Sequence, residues 1–229
     1  MGKLELTRKY YQLYNETKEY FNALQTNIQL SGDGLKVISV TSTVKNEGKS
    51  TISVGLSMSL ALSGYKVLLL DVDLRNSVMS GMFHSRERIT GLTEYLSGKA
   101  GMADSMQETT LDNLYILQAG VVSPNPLSLL RSVKFETLID SMKKYFDYII
   151  VDTPPIGQVI AAAIIAQQCD GIFLVTEMRK TTRRQIFSSL QQLEQTGVPV
   201  LGLVANKAII KKDSYGYYGK NTASETERY

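Results

Sequence analysis

Thr41-Ser42-Thr43-Val44-Lys45-Asn46-Glu47-Gly48-Lys49-Ser50-Thr51 stands between an apolar strand candidate over residues 37–40 and a helical segment over 50–63. The placement carries more than the letters. A helix that starts directly after a strand-ending loop presents unpaired backbone N–H groups and the positive end of its dipole. Phosphate oxygens are the natural ligand for such an end. Within the run, Gly48-Lys49-Ser50-Thr51 has the residue types of a phosphate-binding loop. Lys49 is expected to reach the β- and γ-phosphates of a nucleoside triphosphate, and the Ser50 hydroxyl to ligate Mg²⁺. Gly48 and Thr51 complete the nucleotide-contacting end, the Thr51 side chain serving helix packing. The usual first glycine, five places before Gly48, is replaced by Thr43.

Two further strand ends carry carboxylates. Residues 67–70 are followed by Asp71-Val72-Asp73-Leu74-Arg75, and residues 148–151 by Asp152-Thr153-Pro154-Pro155. Ligands of open parallel sheets gather at the carboxyl ends of the strands, where all three aspartates fall. Extended backbone would set Asp71 and Asp73 on one side. Asp71 is expected to share in metal binding or to accept the proton of an attacking hydroxyl, and Asp152 matches a magnesium-holding position. Arg75 either neutralises phosphate charge or pairs with an aspartate. Asn206, at the end of the last strand candidate, offers both donor and acceptor to a base.

The remaining pattern extends this frame. Strand candidates over 114–117, 172–175 and 200–204 alternate with helical segments near 127–144, 158–168 and 180–196. Nearly continuous apolar strands fit an α/β fold, a mostly parallel central sheet flanked by helices, of the P-loop NTPase kind. Residues 1–34 form an N-terminal segment with a helix over 11–30, packed on the core or on a neighbouring subunit. Residues 35–210 are expected to be the core, and 211–229 a flexible tail holding Tyr215, Tyr217, Tyr218 and Tyr229. One cysteine, Cys169, excludes a disulfide framework, and one histidine, His84, excludes a multi-histidine metal site. No apolar run approaches the length of a membrane span, so a soluble cytoplasmic chain is expected.

Gly48-Lys49-Ser50, Leu70-Asp71-Val72-Asp73-Leu74-Arg75 and Val151-Asp152-Thr153-Pro154-Pro155, with Ser123-Pro124-Asn125-Pro126 and the tyrosine-rich end, together resemble the bacterial tyrosine kinases of the capsule and exopolysaccharide type. These belong to the deviant P-loop ATPases, and the resemblance is to the separate cytoplasmic kinase subunit of Gram-positive bacteria. It implies an ATP- and Mg²⁺-dependent autokinase with catalytic Lys49, Asp71, Asp73 and Arg75, metal ligands Ser50, Asp71 and Asp152, and Asn206 near adenine. It also implies phosphoacceptors Tyr215, Tyr217, Tyr218 and Tyr229, modified in trans. A transmembrane modulator that supplies a cytoplasmic activating segment would recruit the chain to the inner face of the membrane. A homo-oligomer is implied and nucleic acid is not expected. Three features depart from the family pattern. Asn22 and Gln25 follow Glu19 where two arginines often mediate self-association, Ala161 stands where an acidic residue is common, and the tyrosine cluster is short. A partition-type ATPase switch and an ATP-regulated scaffold are the alternative functions.

Overall fold

β2 (Val37–Ser42) is buried along its whole length and lies inside a seven-stranded sheet. Its neighbours are β7 (Tyr148–Asp152) and β8 (Gly171–Glu177), both parallel to it. β3 (Val67–Asp71) follows on the far side of β7, then β6 (Leu114–Leu117), and β9 (Val200–Asn206) closes the opposite edge next to β8. The structure, a computed structural model, describes residues 3–84, 89–157 and 160–208. The parallel register brings the ends of β2, β3 and β7 to one edge. Asp71 sits opposite Asp152, and Asp152 opposite Val40.

Three short strands and one helical segment differ from the sequence expectation. β5 (Gln107–Glu108) adds an antiparallel strand beyond β6, and β1 (Glu5–Leu6) pairs with β4 (Phe83–His84) in a separate ribbon. These pairs are two residues long, too short for a periodic signal. The single helix expected near 127–144 is two, α5 (Pro126–Leu130) and α6 (Val133–Met142). Ser132 causes the break: its hydroxyl accepts from the Phe135 N–H at 3.3 Å and caps a new helix.

α1 (Arg8–Leu30) buries Tyr14, Phe21 and Ile28 on a seven-residue spacing, two helical turns apart, against α2 (Lys49–Leu62) of the same chain. α2 is a helix with eleven buried residues, so its serines need partners inside. Ser59 donates to Asn22 Oδ1 at 2.9 Å and to Gln25 Oε1 at 3.0 Å, and Ser63 reaches Gln25 at 3.1 Å. The two positions where arginine was missing therefore hold α1 to the chain's own core. Gly55 makes the close approach possible, because a Cβ there would lie 2.1 Å from Phe21 Cζ. Gly55→Val is expected to destabilise the fold by about 1–3 kcal/mol through overpacking. An unchanged thermal midpoint would mean that Phe21 is not confined between the helices.

Candidate active site

The phosphate loop spans the turn from β2 to α2, and its shape comes from contacts more than from glycine. Gly48 takes φ 91° and Asn46 φ 67°. A Cβ on Gly48 would meet Asn206 Nδ2 at 2.1 Å, so this position needs glycine for both backbone and space. Glu47 is fully buried. Its carboxylate accepts from the Val44 N–H at 2.8 Å, from the Glu177 N–H at 3.3 Å and from the Thr181 hydroxyl. One side chain thus binds the loop to itself, to the end of β8 and to the turn before α8 (Arg183–Glu194). No role for Glu47 follows from its neighbours in the chain. The usable signal was a charged residue inside a loop otherwise short of conformational freedom. Glu47→Ala is expected to reduce ADP affinity about tenfold or more, since three donors lose a buried acceptor. Titration calorimetry with ADP measures this, and unchanged affinity would remove Glu47 from the loop's support.

Asn206 Nδ2 donates to the Glu47 carbonyl at 2.8 Å, and Lys207 Nζ to the Asn46 carbonyl at 2.8 Å. The end of β9 therefore braces the loop from behind, a role that spacing alone did not reveal. Thr51 is half-buried in the first turn of α2. Thr43, in place of glycine, is buried and its hydroxyl has no hydrogen-bond partner among the described residues.

Lys49 points into the three carboxylates. Its Nζ lies 3.3 Å from Asp73 Oδ2, 3.7 Å from Asp152 Oδ2 and 3.3 Å from Ser50 Oγ. Burial lowers the ammonium's pKa, but attraction to Asp152, Asp73 and Asp71 outweighs this and leaves it raised. Asp152 accepts from Ser53 Oγ at 3.1 Å, a contact not foreseen from sequence. Burial raises the Asp152 pKa more than Lys49, Ser50 and Ser53 lower it. Asp71 is fully buried, and burial with the nearby Asp152 pushes its carboxyl up to about 7 against the opposing Ser77, Lys49 and Asp73 N–H. Ser77 donates to Asp71 Oδ2, and the Asp73 N–H to Asp71 Oδ1 at 3.1 Å. Arg75 is exposed and forms no ion pair among the described residues. Pairing with an aspartate is thus not the arrangement found, because the chain turns outward after Leu74.

Ser50, Asp71 and Asp152 present only oxygen ligands around one end of the loop. Two carboxylates and a hydroxyl suit Mg²⁺, which keeps water and takes the rest of its shell from phosphates. Among the described residues, no cluster of three His, Cys, Asp or Glu side chains forms a closed metal cage. Tyr215, Tyr217, Tyr218 and Tyr229 lie outside the described residues.

Comparison with known proteins agrees with this geometry. An AAA domain family model matches residues 35–196. The chain is 55% identical over 219 residues to a tyrosine-protein kinase, CpsD, of Streptococcus pneumoniae, covering 96% of each chain. The kinase domain of the Escherichia coli tyrosine kinase ETK superposes with a TM-score of 0.77 at 30% identity, over 87% of this chain and 80% of that one. The septum site-determining protein MinD of Pyrococcus horikoshii, solved with Mg-ADP, gives a TM-score of 0.62 at 28% identity, over 74% and 69% of the two chains. The loop and its carboxylates are consistent with Mg-ATP binding of the kind that such P-loop domains perform.

Proposed function

The chain belongs to the bacterial tyrosine kinases of the capsule and exopolysaccharide type, and from that premise we propose that it phosphorylates tyrosines of its own C-terminal segment. It is a tyrosine-protein kinase that uses ATP. The observation that carries the finer reading is the convergence of Asp71, Asp73 and Asp152 on Lys49 at the mouth of the phosphate loop. A buried carboxylate there can accept a proton from water or from a phenol alike; the similarity to tyrosine kinases favours the phenol, with its reference pKa near 10, as the attacking group.

In this reading Lys49 and the first N–H groups of α2 hold the β- and γ-phosphates, and Ser50, Asp71 and Asp152 would hold Mg²⁺. The ion, when bound, offsets phosphate charge and repulsion from the aspartates. A tyrosine Oη forms its bond to the γ-phosphorus as the bond to the β,γ-bridging oxygen breaks. ADP departs with that electron pair, and the phenol's proton passes to Asp71. Asp73 keeps Lys49 aimed, Arg75 neutralises phosphate at the cleft's edge, and Asn206 braces the loop beside the base. Phosphoacceptors are Tyr215, Tyr217, Tyr218 and Tyr229.

Among the described residues no helix is long and apolar enough to cross a membrane. We place the chain in the cytoplasm, recruited to the inner membrane face by a transmembrane modulator whose cytoplasmic segment activates it, and acting as a homo-oligomer in polysaccharide export.

The test combines the full chain, ATP, Mg²⁺ and the modulator's cytoplasmic segment, with phosphosites mapped by mass spectrometry. Phosphate on Tyr215, Tyr217 or Tyr218 is expected, with loss when all four tail tyrosines become Phe. Phosphate release without phosphotyrosine would favour the partition-type switch. Nucleotide-dependent binding to the modulator segment with neither reaction would favour a scaffold.

A further inference from the structure

The central sheet has one guarded edge and one open edge. At the guarded edge β5 is two residues long, and Leu4 covers it: the Leu4 N–H donates to the Glu108 carbonyl at 2.9 Å, and the Leu4 carbonyl accepts from the Thr110 N–H at 2.8 Å. Lys3 adds an ion pair with Glu108 at 3.6 Å. Short length, charge and a covering segment are the usual protection of a sheet edge. Among the described residues β9 lacks all three. It is seven residues long, carries no charged side chain and no proline, and pairs only with β8. Its one irregularity is Leu201, the extra residue between Val200, which pairs with Ile172, and Gly202, which pairs with Phe173.

The regular stretch, residues 202–206, has a defined outer edge. The Met178 N–H donates to the Asn206 carbonyl at 3.0 Å, so the backbone of Asn206 faces β8. Successive residues of a strand turn their N–H and C=O to opposite edges. Val204 and Gly202 therefore also face β8, while Leu203 and Ala205 aim both backbone groups outward. Both residues are exposed, Leu203 at 50%. A regular, uncharged edge of this kind is a template for another strand.

We propose that β9 pairs antiparallel with β9 of a second copy of this chain, about a two-fold axis at Val204, so that one sheet runs through both copies. Leu203 of each copy exchanges two backbone hydrogen bonds with Ala205 of the other, and Val204 faces Val204 between those pairs. Every outward group of residues 202–206 is then satisfied. No other antiparallel register achieves this without using Leu201 or Lys207. A two-fold axis sets a strand against itself, so a charged strand would be repelled, and residues 202–206 carry no charge. Beyond them the charges are opposite. The pairing carries Lys207 past Leu201 of the second copy, toward an open groove of about 420 Å³ whose wall includes Glu194. Leu190 lines the same groove, and Phe187, one turn earlier on α8 and 66% exposed, extends its apolar side. These features select a second copy over a foreign strand. The interface deepens the homo-oligomer reading above, because it carries the start of each tail to a second kinase core.

The test uses the full chain and reads association rather than phosphate transfer. Sedimentation velocity is expected to show a species of twice the chain's mass that grows with concentration. Leu203→Lys should raise its dissociation constant about tenfold or more, since a lysine then enters the pairing from each side. Disulfides read the register. Val204→Cys should link to itself under mild oxidation, and a mixture of Leu203→Cys and Ala205→Cys chains should give the mixed link, because facing Cα atoms lie about 4.5–5.5 Å apart. The parent, whose Cys169 is buried, should stay unlinked. An undiminished dimer in Leu203→Lys, or no link in any cysteine variant, overturns the interface. So does a monomer whose Leu203 and Ala205 amides resist hydrogen exchange, because residues 209–229 or another segment would then cover the edge. Tyrosine transfer at full rate in chains that never associate would overturn the interface and leave the kinase reading intact; linked dimers without transfer would do the reverse.

Discussion

Asp71→Asn is expected to slow phosphoryl transfer to tyrosine by about a thousandfold while ADP still binds. The carboxylate is fully buried, receives the Ser77 hydroxyl and the Asp73 N–H, and is raised to about 7 by burial and by Asp152. An amide cannot accept the phenol's proton, yet it keeps nearly the same shape. A single-turnover assay with ATP and a tyrosine peptide measures the loss. Transfer within about tenfold of the parent would show that the proton leaves by another route.

The same substitution has a sign in stability. Unfolded, the carboxyl ionises near 3.8; folded, it holds its proton to about 7. Between these values the folded state binds more protons, so the nucleotide-free fold loses stability as pH rises through that window. Above about 7 both states are ionised and the cost is complete. Asp71→Asn removes this dependence. Its thermal midpoint should exceed the parent's at pH 8 and approach it at pH 5, and a midpoint lower than the parent's at pH 8 would contradict the buried-charge account.

Lys49→Met is the second large effect, and it acts twice. The ammonium supplies the charge expected to hold the β- and γ-phosphates, so transfer should fall by about a hundredfold to a thousandfold. It is also the cation paired with buried Asp73 and Asp152 in the absence of nucleotide, at 3.3 and 3.7 Å. Breaking such a pair by removing one partner costs about 3–5 kcal/mol. The lysine's pKa lies above 10.5, so its contribution is fully present at neutral pH and is lost only as pH rises through that higher value. Without it, the carboxylates escape part of the penalty by taking up protons. The destabilisation of Lys49→Met should therefore be larger at pH 8 than at pH 5. Calorimetry across that range checks this, and equal losses at both pH values would mean that the carboxylates are not left uncompensated.

The two effects come from one ammonium. Its charge is paired with Asp73 and Asp152, and in the proposed reading the same ammonium also holds phosphate. A loop built this way is held in shape before ligand arrives by Glu47 and Asn206 rather than by runs of glycine. Pre-organisation of that kind lowers the ordering cost of binding.

Much of this was legible from residue order alone. Apolar runs ending in Asp71 and Asp152 and the run ending in Gly48-Lys49-Ser50 specify strands, their carboxyl ends and an anion-binding helix start, because each signal is local in the chain. The parallel α/β class follows from the same runs. Local signals also mark Ser132 as a helix cap, although helical periodicity carried on across it over 127–144 and hid it.

Only tertiary structure decided which side chains meet. The order β3–β7–β2 sets Asp71 beside Asp152 and brings both to Lys49. Glu47 touches Glu177 and Thr181 from 130 and 134 positions away, and Asn22 and Gln25 meet Ser59 across the α1–α2 contact. Gln118 reads as an ordinary polar residue at a strand end until its burial and lack of a partner are seen. Periodicity and spacing report the backbone's local preference and the face a residue occupies. Burial, charge pairing and the direction of a shifted pKa depend on neighbours brought together by strand order, and those neighbours are distant in the chain.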